Sequence, residues 1–334
     1  LPRTNRRIIS GEVYEIVCRA REGLPLPPND VINTILEGVI ARTLRNDNVI
    51  VCHYLWMSNH CHILVLAKDA VMLTKLYMEI QKKLTEALKR LLGLRRLSLW
   101  QGRPAAILIA DLEAAKDRVA YLYANPSTAD LTNSIEQYPG INSWQVFQKS
   151  ISNINASHSK LVPWIRDRTI TKLESDRVCQ KVERETVENF KTDNKKLHSL
   201  KVQPNAWIKR FKIKGSKKVS AINNSILNDL RRREEASLNL RLSKNKHATG
   251  SEALKREPIM KKHIPKKNDR KIFLICADKD LRINLLKEFE IFFENLKLIS
   301  LKWLAGDLTV VWPPGVFRPP AWHVANALPF SWTC

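Results

Sequence analysis

Between residues 11 and 126 the period of the apolar residues switches repeatedly between two and 3.6, an order that leaves few folds open. Gly11 to Arg19 sets Val13, Glu15 and Val17 against Tyr14, Ile16 and Cys18, the alternation of a strand. After Pro27-Pro28, Asn29 and Asp30 can cap a helix whose apolar positions are Ile32, Ile35, Leu36, Val39 and Ile40, ending near Asn46. Val49 to Met57 and His60 to Leu66 are β-branched and aromatic runs separated by Ser58-Asn59, a two-residue hairpin turn. Asp69 then caps a long helix with Leu73, Leu76, Tyr77, Ile80, Leu84, Leu88 and Leu91 on one stripe, closed by Gly93. Pro104 to Ala110 is a fourth strand, and Asp111 to Asn125 a helix that Pro126 should end. The β-α-β-β-α-β-α order predicts an α+β fold, an antiparallel four-stranded sheet with helices packed on it.

Residues 1–148 carry 18 basic and 14 acidic residues, whereas 149–334 carry 38 and 19, so most of the net +23 lies in the second half. Residues 207–273 hold 20 basic against 6 acidic residues, including Lys217-Lys218, Arg231-Arg232-Arg233, Lys261-Lys262 and Lys266-Lys267. A polyanion is the expected partner, because each neutralised phosphate releases counterions.

The Ser- and Asn-rich stretch 149–160 marks a boundary, which divides the chain into 1–148, a linker with a charged helical segment at 149–204, and a basic module at 205–334. Within that module the pattern predicts a helix over Ile222 to Leu242, strands at Ile272 to Ala277 and Leu308 to Val311, and a helix over Asp280 to Leu296, a basic α/β extension.

No stretch approaches the ~20 apolar residues of a membrane helix. No apolar run follows the basic residues near the N-terminus, so a cytosolic location is expected. Six cysteines without a CxxC pair argue against a zinc ribbon or a disulfide framework and read as reduced, mostly buried thiols. No phosphate-binding GxxxxGK[ST] loop is present, and 10 glycines leave little room for a dinucleotide fold.

His60 and His62 flank Cys61 on a strand, so both imidazoles leave one face about 6–7 Å apart and can share a divalent ion. On the helix 111–125, Leu112, Ala115, Val119 and Leu122 form the apolar face, Tyr123 points back into it, and Arg118, Tyr121 and Asn125 lie on the other side. Tyr121 and Asn125, at i and i+4, place a phenol and an amide oxygen on the same helix face.

Arg6-Arg7, Gly11-Glu12-Val13-Tyr14, Met57-Ser58-Asn59-His60-Cys61-His62, Leu99-Trp100-Gln101-Gly102-Arg103 and Tyr121-Leu122-Tyr123-Ala124-Asn125-Pro126 follow one another in the order of a known family. Together they resemble the IS200-like, REP-associated tyrosine transposases of the single-tyrosine HUH endonuclease superfamily, over residues 3–148. Two departures stand out: Ser58 replaces the usual proline, and Ser127 to Asp130 lacks the basic residues common there.

The resemblance implies a ferredoxin-like (RRM-like) catalytic domain over 1–148 in which His60 and His62, with Asn125 as third ligand, bind Mg²⁺ or Mn²⁺. Tyr121 matches the nucleophile, which cleaves and rejoins single-stranded, hairpin-bearing DNA through a 5′-phosphotyrosine. Arg6, Arg7, Lys82, Lys83, Arg103 and Arg118, with Arg231, Arg232, Lys266 and Lys267 of the basic module, are the expected DNA contacts. The implied setting is the bacterial cytoplasm, on the nucleoid, as a monomer or homodimer. The alternative is a domesticated, catalytically idle protein that binds hairpins of palindromic repeats. An RNA-binding module fits less well, because the strands lack the stacking aromatics such sheets use.

Overall fold

A computed structural model describes residues 7–45, 49–68, 70–175, 178, 180–192, 196–263, 272–313 and 316. The chain builds β1 (Glu12–Arg19), α1 (Asp30–Thr43), β2 (Val49–Trp56), β3 (His60–Ala67), α2 (Ala70–Leu91), β4 (Ala105–Ile109) and α3 (Leu112–Thr128). There follow α4 (Trp144–Gln148), β5 (His158–Pro163), α5 (Gln180–Thr192), β6 (Leu197–Val202), α6 (Ser216–Ser243), α7 (Ser251–Lys255), β7 (Leu274–Ile275) and α8 (Lys279–Leu304). The fold is α+β. The expected cap of α2 at Asp69 lies outside the described residues, as does the expected end of α1 at Asn46; α1 itself stops at Thr43.

The main sheet runs β2-β3-β1-β4-β7. Its first four strands are antiparallel to their neighbours, whereas β7 pairs parallel with β4, so the sheet is mixed and five-stranded rather than the expected antiparallel four. Alternation sorts the side chains to two faces. Tyr14, Ile16, Ile63 and Val65 join a core with α1 and α2, while Val13, Leu55 and Leu64 join another with α3 and α6.

Two further sequence readings need correction. Pro126 does not end α3, which runs on to Thr128. The proline deprives the Leu122 carbonyl of its i+4 N–H, and the Asn125 side-chain amide donates to that carbonyl instead, at 3.3 Å, and to the Tyr121 carbonyl at 3.0 Å. The extension is mostly helical: Leu308 to Val311 forms no strand, only two residues of the predicted 272–277 strand pair, and α8 is longer than the pattern suggested. The segment expected to be linker holds a second, two-stranded sheet, β5 with β6, packed on α1.

Packing runs across residues 148 and 204. Trp207 is fully buried against the main sheet and donates from Nε1 to His53 Nε2 of β2 at 3.2 Å. That donation makes Nε2 the acceptor, so His53 Nδ1 carries the proton toward the Tyr123 hydroxyl, 2.9 Å away. Tyr123 in turn donates to Ser143 Oγ at 2.9 Å, and Ser143 accepts the Tyr54 backbone N–H at 2.8 Å. Burial holds His53 neutral, down to about 3. On α6, the buried Arg241 donates to the Ser127 carbonyl, Asp130 and Asn133, tying the far end of α6 to the end of α3. Cys18, Cys52, Cys61 and Cys276 are buried; Cys179 and Cys334 lie outside the described residues. No described helix is long and apolar enough to cross a membrane.

Candidate active site

The site forms where β1 and β3 lie side by side beneath α3. Antiparallel register sets Val17 opposite His62 and Arg19 opposite His60, and the Ser58-Asn59 turn ends the hairpin immediately before them. The Trp100 loop lies along the same end of β1, where Gln101 N–H donates to the Arg19 carbonyl and Trp100 Nε1 donates to the Gln81 carbonyl.

Both imidazoles are oriented from behind. His62 Nδ1 donates to Glu15 Oε1 at 2.7 Å, and His60 Nδ1 donates to Asn59 Oδ1 at 2.7 Å. Each contact fixes the tautomer that leaves Nε2 as a lone pair, the arrangement that metal-bound histidines use. His62 Nε2 is buried and has no partner in the protein. Burial, followed by the nearby His62 and Arg19, lowers the His60 pKa well below its ordinary value, which keeps the ring neutral and able to ligate.

Glu15 is 1% exposed and is shared, since Arg118 Nη2 donates to both of its carboxylate oxygens at 2.7 Å. Burial opposes ionisation, but the contacts of His62 and Arg118 outweigh it and lower the carboxyl's pKa. The Arg118 guanidinium then lies 4.0 Å from the centre of the Tyr121 ring, and the Tyr121 and His62 rings meet edge to face at 5.8 Å. The rings of His60 and His62 are 5.1 Å apart.

Tyr121 is half-buried, while its neighbour Tyr123 is fully buried, with burial raising its pKa far above the ordinary phenol value. Only Tyr121 of the two is open to a substrate.

His60, His62, Arg118 and Tyr121 therefore converge. Asn125 lies one turn beyond Tyr121 with its amide nitrogen bonded into its own helix, so only Oδ1 could serve a metal; no hydrogen bond joins it to either histidine. Among the described residues no group of three or more His, Cys, Asp or Glu side chains is spaced to hold a metal.

The remaining expected DNA contacts are dispersed. Lys82 and Arg103 are exposed, and Lys83 sits 3.5 Å from Asp167 on the α1 and α2 side of the sheet. Arg7 pairs with Glu288 and packs against Phe289 and Phe292. Arg231 is held by Glu136 and Glu234, and Arg232 by Asp229. Arg6, Lys266 and Lys267 lie outside the described residues.

Sequence reasoning missed the role of Glu15. Its signal was a carboxylate on a strand face otherwise filled by Val13 and Val17, where an unpaired charge would be costly to bury.

No protein-family profile and no curated protein matches the chain. Among solved structures, the chain has a likeness to a REP-associated tyrosine transposase bound to a REP hairpin, at 18% identity and a TM-score of 0.35, over 43% of this chain and 84% of that one. At that score the superposition decides neither fold nor activity.

Proposed function

We propose that the chain is a metal-dependent strand transferase that cleaves and rejoins single-stranded, hairpin-bearing DNA through Tyr121. The observation that carries this reading is the meeting of the Tyr121 ring with His62, whose Nε2 is buried and open while Glu15 holds the opposite nitrogen. The antiparallel order β2-β3-β1-β4 supports the ferredoxin-like (RRM-like) arrangement that such a site implies. The motif series in residues 3–148 supports the single-tyrosine family.

His60 and His62 Nε2, with Asn125 Oδ1, are the atoms suited to hold Mg²⁺ or Mn²⁺, which would polarise a phosphoryl oxygen and offset its developing charge. The protein's own residues do the rest. Arg118 fixes the phenol ring by stacking, and Glu15 fixes both Arg118 and His62, so nucleophile and ligand share one rigid support. The Tyr121 oxygen forms the new bond to phosphorus, the bond to the 3′-oxygen breaks, and the strand leaves with a free 3′-hydroxyl. The 5′-phosphate stays on tyrosine as a diester, so a second 3′-hydroxyl can reverse the step without ATP.

The test incubates wild-type, Tyr121→Phe and Tyr123→Phe protein with hairpin oligonucleotides from the DNA flanking its gene, with Mn²⁺ or EDTA, on a denaturing gel. A metal-dependent covalent adduct lost only in Tyr121→Phe is expected; an adduct that survives in Tyr121→Phe refutes the assignment. A second reading, the catalytically idle hairpin binder, is favoured by the sparse ligand set: among the described residues no three His, Cys, Asp or Glu side chains are spaced to hold a metal. It predicts hairpin binding with no adduct under any metal.

A further inference from the structure

The phase of the β1–β3 ladder decides which side chains crowd together beside the histidines. Ala20 N–H donates to the Asn59 carbonyl at 2.7 Å, one step past the Arg19–His60 pair in the same register. Hydrogen-bonded and non-hydrogen-bonded partners alternate along an antiparallel ladder, so Arg19 opposite His60 and Val17 opposite His62 are non-hydrogen-bonded pairs. In such pairs the Cα atoms lie about 4.5 Å apart and the side chains come closest. Alternation also sets Arg19 on the face of Glu15 and Val17, the face that carries both histidines and meets Tyr121.

The position is rigid and open at once. The Arg19 carbonyl accepts the Gln101 N–H at 2.9 Å while the N–H of the next residue holds Asn59, so both edges of the strand are tied here. Arg19, His60 and Tyr121 are half-buried, which leaves this part of the site open to a strand. Arg118, the other guanidinium of the site, is bonded to both Glu15 oxygens and stacked on Tyr121, so it supports the site from within. Burial first, and then the charges of His62 and Arg19, lower the His60 pKa, so the Arg19 guanidinium already acts on that ring. It also works against a divalent ion on the same histidine, because like charges a few ångströms apart repel. A phosphate oxygen between them turns that repulsion into two attractions, and the planar fork of arginine suits phosphate.

We propose that Arg19 is a further substrate-contacting residue, which holds a non-bridging oxygen of the DNA phosphate seated between His60 and Tyr121. It rests on the reading of this chain as a metal-dependent strand transferase and adds a coupling, in which DNA and metal each tighten the binding of the other through Arg19.

The test measures Mn²⁺ affinity by electron paramagnetic resonance of the free ion, with and without a hairpin oligonucleotide that has single-stranded arms. Full-length Tyr121→Phe protein, which cuts no strand, is the parent. Arg19→Gln and Arg19→Met are built on it, with thermal melting as the check on folding. Without DNA, both Arg19 variants should bind Mn²⁺ at least as tightly as the parent, since a repelling charge is gone. The factor by which DNA tightens Mn²⁺ binding should fall about tenfold, as the loss of one charge-assisted hydrogen bond implies. The same drop should appear in hairpin affinity, read by fluorescence anisotropy with and without Mn²⁺. An unchanged factor overturns the proposal. So does weaker Mn²⁺ binding without DNA in both variants, or early melting of both, since either makes Arg19 a structural support of His60. Protein that keeps Tyr121 separates the two readings. An unchanged factor alongside a covalent Tyr121 adduct refutes the Arg19 contact alone, whereas a reduced factor without any adduct keeps the contact and refutes the transferase. No Mn²⁺ binding and no adduct refute both.

Discussion

Glu15 grips His62 at 2.7 Å and, with the same carboxylate, Arg118 at 2.7 Å, so one buried charge on β1 orients both the His62 imidazole and the guanidinium stacked on Tyr121.

Glu15→Gln keeps the shape of that support and removes its charge. Removing the partner behind a ligand histidine costs about 10–100-fold in metal affinity. The Mn²⁺ concentration giving half-maximal adduct should rise by that factor, and an unshifted titration would show that Glu15 does not act through His62.

Arg118→Lys keeps the charge but loses the planar fork and the stacking surface. Adduct formation should slow at saturating Mn²⁺, while hairpin affinity in EDTA changes little. A rate equal to wild type would mean that Tyr121 is positioned without Arg118.

Trp207→Phe keeps an aromatic ring in the buried site, leaves part of the space empty and, lacking the N–H, strands His53 Nε2. An unsatisfied buried polar atom costs about 1–3 kcal/mol. Urea unfolding should show that loss as a lower midpoint; an unchanged midpoint would mean the hydrogen bond to His53 adds nothing to stability.

Asp111 caps α3 through the Ala114 N–H and accepts the N–H groups of Ala277 and Asp278. Partial burial opposes the shift, but these hydrogen bonds prevail and lower its pKa from 3.8. A lowered folded-state pKa gives stability that is fully present well above the unfolded value and is lost as pH falls through the folded one. The stability gap between wild type and Asp111→Ala should therefore narrow below about pH 4. A gap that stays constant from neutral pH into that range would refute the assignment.

The first half of the chain was largely readable because its core is local and periodic. The alternation around Glu15, the stripe from Leu73 to Leu91 and the Ser58-Asn59 turn each encode their element within a few residues. His60, His62 and Tyr121 were visible as a motif, and their meeting follows from the packing of α3 on the sheet face that carries both histidines. The misses are non-local. β7 is two residues long and exists because β4 offers a free edge, while β5 and β6 pair across about 40 residues of sequence, which no local period encodes. α3 passes Pro126 because a side chain, rather than the backbone, meets the Leu122 carbonyl.

β7 completes the edge of the main sheet from residues 274–275, and the Asp111 carboxylate reaches the backbone at 277 and 278. Domains fold as they leave the ribosome, N-terminal part first. During synthesis the strands bearing His60 and His62 and the helix bearing Tyr121 emerge long before the strand that closes their sheet. The nascent chain must carry an open β4 edge across some 160 residues of further translation.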